Sequence, residues 1–369
     1  MFWKTGALIL LIFLIVNCST PGNDVSEPEV VTYSYETFVE ADYTFLDEGL
    51  HHPIMMKQLT DDNLAVLDKG NSCVYMFSES GEFIRKIGKR GNGPGELGRP
   101  YWMDIDNHNN IFILEGSNQR ISMFTSAGDY VGSNRVQFLS YMDHAFSVRN
   151  EITLICNGFG NSDYFITEFD NEGNLLKTIG DVPEFAPGDE RKNRRLMFGY
   201  PFKNEENEYL IFLHLLNKIK IYSEDGVFLK EINYSDYPCL AEHFAYVDES
   251  AGADLELNTS QSGELQDVFK NNGKYYIVSH EKPVSRDFDE IKLFHFKIFV
   301  LNKDLHHIKT LVLDVPNNIN SEQFLDALNT YGTVFEFYFD VSEDEKHIYH
   351  AEKYTAKILK YTIDENGRQ

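Results

Sequence analysis

The chain has 369 residues, 33 Lys and Arg against 58 Asp and Glu, a formal net charge of −25 and 42% apolar content. Its 28 Phe and 21 Tyr supply the bulk of a core, which excludes a mostly disordered chain. An acidic excess of this size argues against nucleic acid, whose phosphates demand a basic footprint. The length admits one large β domain or two smaller ones, and no substrate can be named from it.

The first element is a targeting segment. Lys4 precedes a ten-residue apolar run, Ala7 to Val16, which stops at Asn17 and Cys18. Ten residues are too few to span a bilayer as a helix, which needs about 20, but they suit the apolar centre of a signal peptide. The arrangement resembles a bacterial lipoprotein signal, in which the cysteine after the apolar run is acylated and becomes the new N-terminus; Val16 and Asn17 stand where that pattern prefers small residues. The resemblance implies lipidation of Cys18 and a membrane partner reached through that anchor, in the bacterial envelope, at the outer membrane on its periplasmic or surface face. The alternative is an ordinary secretory signal. STPGNDVSEPEV follows, polar, acidic and punctuated by Pro and Gly, a composition suited to a tether. Cys73, Cys156 and Cys239 are scattered and contain no CxxC pair. One disulfide is open to them, although scattered thiols in a large chain are more often simply buried.

Internal repetition decides the fold. An aromatic followed four positions later by Gly recurs at Phe77 to Gly81, Phe124 to Gly128, Phe169 to Gly173 and Tyr222 to Gly226, with degenerate copies at Leu301 to Leu305 and Ile363 to Gly367. The glycine marks a tight hairpin with positive φ, where a Cβ would clash. Upstream of the marker, Asp61 to Phe77, Asp104 to Phe124 and Asp344 to Tyr361 each read turn, apolar strand, polar turn, strand. In all three an acid stands nine residues before the closing aromatic: Asp68, Glu115 and Glu352. The first markers lie 47, 45 and 53 residues apart and the later ones 79 and 62. The shorter spacings suit four-stranded blades of about 40 to 50 residues, and the longer ones signal insertions.

Asp104 to Val131 resembles an NHL repeat, and the loop GKRGNGPGELGRP, Gly88 to Pro100, resembles the Gly-rich connector between blades of the six-bladed β-propeller lipoproteins of bacteria. The expected fold is therefore all-β, a six-bladed β-propeller of four-stranded antiparallel blades. The last repeat supplies only three strands before the chain ends, so Val30 to Phe38, or Tyr43 to Leu46, is expected to add the fourth and close the ring. The expected organisation is a signal segment over 1–17, a tether over 18–33 and the propeller over 34–369, with insertions near 234–266 and 317–333.

Asp68, Glu115 and Glu352 invite a metal or acid–base reading at the central channel, but their repetition favours a structural task, accepting N–H bonds of the turns. His214, His280 and His350 follow or end second strands, near where a central face would lie, and are the best candidates for metal binding or proton transfer. His347 and His350 do not form a zinc-protease motif, because residues three apart in a strand face opposite ways. The Gly88 to Gly98 loop lacks the Gly-Lys-Ser/Thr ending of a phosphate loop and reads as a connector. Arg191, Lys192, Arg194 and Arg195 form the basic cluster of an acidic chain, either an exposed loop balancing local charge or a patch for an anionic glycan or protein. No GxSxG elbow or nucleophile pair appears.

In the insertions, Tyr234 to Gln266 runs from aromatic to acidic, and Phe324, Leu325 and Leu328 follow helical spacing. Such loops either carry specificity or plug one face of the ring. The leading expectation is a monomeric, exported, lipid-anchored module that binds a glycan, peptide or envelope protein and no nucleic acid. The rival is a lactonase-like or lyase-like enzyme with a divalent cation in the channel; the residues themselves require no cofactor.

Overall fold

A computed structural model describes residues 29–40, 49–135, 146–149, 152–156, 164–170, 174–181, 188, 196, 198–241, 244, 263–281, 293–317, 338–342, 344–352 and 356–363. Cys18, the basic cluster at 191–195 and the segment around Phe324 lie outside the described residues.

The chain enters through β1 (Glu29–Glu40) and builds blade one from β2 (Pro53–Gln58), β3 (Leu64–Asp68), β4 (Cys73–Phe77) and β5 (Phe83–Ile87). Blade two is β6 (Pro100–Ile105), β7 (Ile111–Glu115), β8 (Arg120–Phe124) and β9 (Tyr130–Arg135). Blade three is β10 (Phe146–Arg149), β11 (Ile152–Cys156), β12 (Tyr164–Asp170) and β13 (Leu175–Asp181), and blade four is β14 (Gly199–Lys203), β15 (Tyr209–Leu213), β16 (Lys218–Tyr222) and β17 (Phe228–Asn233). Blade five is β18 (Gly263–Asn271), β19 (Lys274–Glu281), β20 (Leu293–Leu301) and β21 (His307–Pro316). Blade six takes β22 (Phe339–Val341), β23 (His347–Glu352) and β24 (Lys357–Ile363) from the end of the chain and its fourth strand from β1. The architecture is the expected six-bladed propeller.

Closure uses one strand in two ways. Tyr33 to Glu40 pair antiparallel with β24, Tyr33 opposite Ile363 and Glu40 opposite Lys357. Glu29 to Thr32 pair in parallel with β21, Glu29 opposite Lys309. The strand thus begins ahead of residue 34, within the stretch read as tether, because its first residues find a second partner in blade five. Tyr33 donates from its hydroxyl to the carbonyl of Glu345, 3.0 Å away. The side-chain carboxylate of Glu345 in turn takes Lys274 and Lys309 at 2.7 Å each and the Tyr276 hydroxyl at 2.7 Å. Although burial opposes its charge, these donors hold the Glu345 carboxyl down at about 2.

Every second strand is sandwiched between neighbouring blades, which explains its unbroken apolar run: β3, β7 and β15 are buried at all five positions. The outer strands of blades one and four face solvent, β5 exposed at four of five positions and β17 at four of six, whereas β21 of blade five is covered by β1. The hydrophobic clusters of the described residues lie between successive blades. One joins Ile54, Leu67 and Met76 to Met103, Ile113 and Phe124; another joins Tyr75 and Val66 of blade one to Tyr349 and Ile358 of blade six. The start of the long insertion packs as a plug between blades four and five, with Tyr234, Tyr237, Leu240 and Phe244 buried around a 3-10 turn and the short helix Pro238–Ala241.

The repeat marker has the expected cause. Gly81, Gly128 and Gly226 have φ of 84°, 96° and 83°, a region an L side chain enters at a cost of about 1 kcal/mol or more. The degenerate copy puts Leu305 there at φ 63°. Its side chain is buried in the blade four to five cluster and its carbonyl accepts the Tyr237 hydroxyl at 2.7 Å, which offsets the strain. Cys73 is a buried free thiol, whereas Cys239 is disulfide-bonded.

Candidate functional site at the centre of the ring

Six inner strands, β2, β6, β10, β14, β18 and β22, surround a cavity of about 340 Å³. Residues of all six line it, Lys57, Asp104, Val148, Tyr200, Asp267 and Asp340 among them. A belt of hydrogen bonds joins neighbouring inner strands, or the turns that follow them, around this space. Asn109 donates to Thr60 Oγ1 at 2.8 Å, Val148 N–H to Asp104 Oδ2 at 2.8 Å and Ser147 Oγ to the Pro201 carbonyl at 2.7 Å. The Tyr200 hydroxyl donates to the Gln266 carbonyl at 3.1 Å, Asn271 Nδ2 to the Val341 carbonyl, and Gln58 N–H to Asp340 Oδ2 at 2.5 Å. All six blade junctions are tied.

The charged groups within the belt come from different blades. Lys57 of β2 places its ammonium 3.9 Å from Asp104 Oδ1 and 5.6 Å from the centre of the Phe269 ring. Burial works against its charge, but Asp104, Asp340 and Asp267 together raise its pKa. The acids answer the other way: burial pushes the Asp267 carboxyl up to about 7 and that of Asp340 to about 6, against the opposing pull of Lys57. Burial likewise raises Asp104. Carboxyls titrating near neutrality can bind a cation when ionised and donate a proton when not. Trp102 forms an aromatic wall, its ring 6.1 Å from Tyr200 and 6.2 Å, perpendicular, from Tyr338. Lys203 and Lys270 also reach the cavity, but Lys203 pairs with Glu168 at 3.3 Å and Lys270 lies 5.0 Å over the Tyr275 ring.

None of the three histidines singled out from the sequence lines this cavity. His214 packs on Phe198 and Tyr200, with ring centres 5.5 and 6.4 Å away. His280 is 3% exposed between Phe294 and Phe296. It stands opposite Glu264 at the start of β18, whereas the cavity takes Asp267 to Gly273 at that strand's end. His350 stacks on Phe339 at 4.7 Å, sits 3.1 Å from the Tyr338 carbonyl through Nδ1, and is held at about 4 by burial. The second strands that carry them are packed on both faces, so their side chains enter blade interfaces. Among the described residues no group of three or more His, Cys, Asp and Glu is arranged to hold a metal ion.

Asp68 and Glu115 are fully buried and serve turns. Asp68 accepts the N–H groups of His51 at 2.6 Å and Asn71 at 2.9 Å. Glu115 accepts Gly98 N–H at 2.7 Å, Asn118 Nδ2 at 2.5 Å, Arg120 Nε at 2.9 Å and Ser122 Oγ at 2.5 Å, fastening the Gly-rich connector onto blade two. Glu352 ends β23 opposite Lys357. The central residues Lys57, Trp102, Asp104, Asp267 and Asp340 escaped the sequence reading. For Lys57 and Asp104 the signal was an ionisable residue inside an otherwise apolar first strand, PIMMKQ and PYWMDI.

A family model described as "Domain of unknown function (DUF4934)" matches residues 47–202, the first three blades and the first strand of the fourth. No curated protein matches the chain. Among solved structures, a protein assigned as exported in Bacteroides fragilis NCTC 9343 superposes with a TM-score of 0.52 at 12% identity, covering 91% of this chain and 100% of that one. Virginiamycin B lyase from Staphylococcus aureus superposes with a TM-score of 0.51 at 11% identity over 90% of this chain and 99% of the lyase. At these identities the likeness is one of fold. No helix among the described residues is long and apolar enough to cross a membrane.

Proposed function

We propose that the chain is an exported propeller of the NHL-like type, lipid-anchored in the bacterial envelope through Cys18, that acts as a binding module with its ligand seat in the central cavity. The observation that carries this reading is the cavity itself, drawn from the inner strands of all six blades and combining an aromatic wall with charged groups. Side chains of that kind, on a rigid frame, suit a small ligand or the end of a glycan or peptide. The disulfide at Cys239 supports an oxidising compartment, as does the structural relative assigned as exported.

Trp102 is one of two tryptophans, the other being Trp3 in the signal segment, so the full chain carrying Trp3→Phe reports on the cavity alone. Titration of soluble glycans and peptides is expected to change Trp102 emission, and Trp102→Ala to abolish binding measured calorimetrically. If no compound of a broad panel binds in a Trp102-dependent way, the seat is not in the cavity. The enzymatic reading draws on the lyase of similar fold and on carboxyls poised near neutrality. Under it the purified protein contains a stoichiometric metal and melts lower after chelation; a protein indifferent to chelator leaves the binding reading ahead.

A further inference from the structure

The central cavity contains more acid than its own cations neutralise. Asp104, Asp267 and Asp340 converge on it, and Lys57 is the cation among them, closest to Asp104 at 3.9 Å. When ionised, this group carries two uncompensated negative charges. Lys203 and Lys270 also line the cavity, but Lys203 is committed to Glu168 at 3.3 Å and to the Tyr209 ring, and Lys270 lies over the Tyr275 ring. No described lysine or arginine lies within ion-pair distance of Asp267 or Asp340.

Two acceptors are left over. Asp267 is 5% exposed and its carboxylate takes one hydrogen bond among the described residues, from Val268 N–H at 2.8 Å. A carboxylate offers about four acceptor positions, and a buried one is normally filled. Gln58, which lines the cavity from blade one, has a buried Oε1 with no partner among the described residues, while its Nε2 donates to Asp62 at 3.3 Å. Both lack a donor rather than an acceptor. A neutral sugar hydroxyl would satisfy either but leave the charge; a metal ion would need three clustered ligands, an arrangement not found among the described residues.

We infer that the cavity seats the protonated amine of a cationic ligand, with the ammonium directed to Asp267 and the body of the ligand against Trp102. This inference rests on the binding reading and names the ligand class for that site. A desolvated ammonium beside an aromatic face and a buried carboxylate draws on both cation–π and charge-assisted hydrogen bonding.

The probe is a matched pair, benzylamine and benzyl alcohol, titrated by calorimetry and Trp102 emission into the full chain carrying Trp3→Phe. Benzylamine is expected to bind at least about tenfold tighter than the alcohol, and Asp267→Asn to remove that preference while its circular dichroism stays unchanged. Because protonated Asp267 cannot receive the cation, amine affinity is expected to rise between about pH 5 and pH 8. Asp340, Asp104 and Lys57 face the same group, so Asp340→Asn serves as a second variant and is expected to weaken the amine too. Equal binding of the two probes overturns the inference while leaving a Trp102-dependent seat intact. Unchanged amine affinity in Asp267→Asn, or no binding of either probe, also overturns it; the broader seat is then judged by the glycan and peptide panel.

Discussion

Burial of Asp267 has a price in stability with a definite sign. Its carboxyl is held at about 7 in the folded protein against an ordinary value near 4 in the unfolded chain. Between those values the folded state keeps a proton that the unfolded state releases. Stability therefore falls as pH rises through that window and is flat above it. His307 and His350 act in the opposite sense: burial holds both at about 4, so their contribution is complete above about pH 6.5 and is lost as pH falls toward 4. Comparing Asp267→Asn with the natural protein cancels the histidines. The variant is expected to match the natural protein near pH 4 and to exceed it by roughly 2–4 kcal/mol by pH 8 in urea unfolding. A difference independent of pH would show that Asp267 is not ionising in a buried site. The same residue shows why the centre was hard to read from sequence. Lys57 and Asp104 break apolar first strands and Asp267 sits in a mixed one, GELQDVFKN, and in one strand each looks like an ordinary solvent-facing position. Only ring geometry turns Lys57, Asp104, Asp267 and Asp340 toward one another. Asp68 and Glu115 were easier, because a repeated turn leaves the same acid at the same offset in several blades.

At the scale of elements, the junctions between blades are made differently at the rim and at the centre. Outside the belt, apolar clusters of interchangeable Ile, Leu and Phe fill each interface, and these were legible as unbroken runs such as IFIL and YLIFL. The junction of blades five and six adds something no periodicity announces: Glu345, in the turn before β23, gathers Lys274 and Tyr276 of β19, Lys309 of β21 and, through its carbonyl, Tyr33 of β1. One residue thus fastens the last blade to blade five through its side chain and to the closing strand through its carbonyl. Glu345→Gln keeps the shape and the carbonyl but removes the charge that two lysines share. With the lysines 31% and 20% exposed, solvent screening discounts the loss, and the expected cost is about 1–3 kcal/mol in chemical denaturation, smaller at high salt. An unchanged midpoint would place the strength of this junction in the apolar cluster alone. The histidines mislead for an elemental reason as well. A second strand looks close to the channel in sequence order, but it is the most enclosed strand of its blade, and His280 and His350 fill space between sheets.

For the whole molecule, closure is the step on which the blades depend together. A ring whose last blade lacked β1 would leave β24 unpaired on its outer side and free β21 from its parallel neighbour, exposing two edges at once. Covalent order is not needed for this, only the presence of the strand. Tyr33 faces Ile363, so the start of β1 lies beside the end of β24 and the two could be consecutive. Glu29 precedes Tyr33 by four residues, about 13 Å of extended chain, and a linker of about six residues would span the distance. A permuted chain that begins at Gly49 and carries Glu29–Glu40 after Ile363 on such a linker is expected to give the circular dichroism of the natural protein and to unfold within about 1 kcal/mol of it, since closing a short loop changes the entropy little. The same chain without Glu29–Glu40 is expected to unfold at markedly lower urea and to lose Trp102-dependent binding, because the belt around the cavity crosses the junctions of blade six with both its neighbours. If the strandless chain were as stable as the permuted one, the ring would be held by its six inner junctions, and β1 would be a cover over an edge that the propeller tolerates.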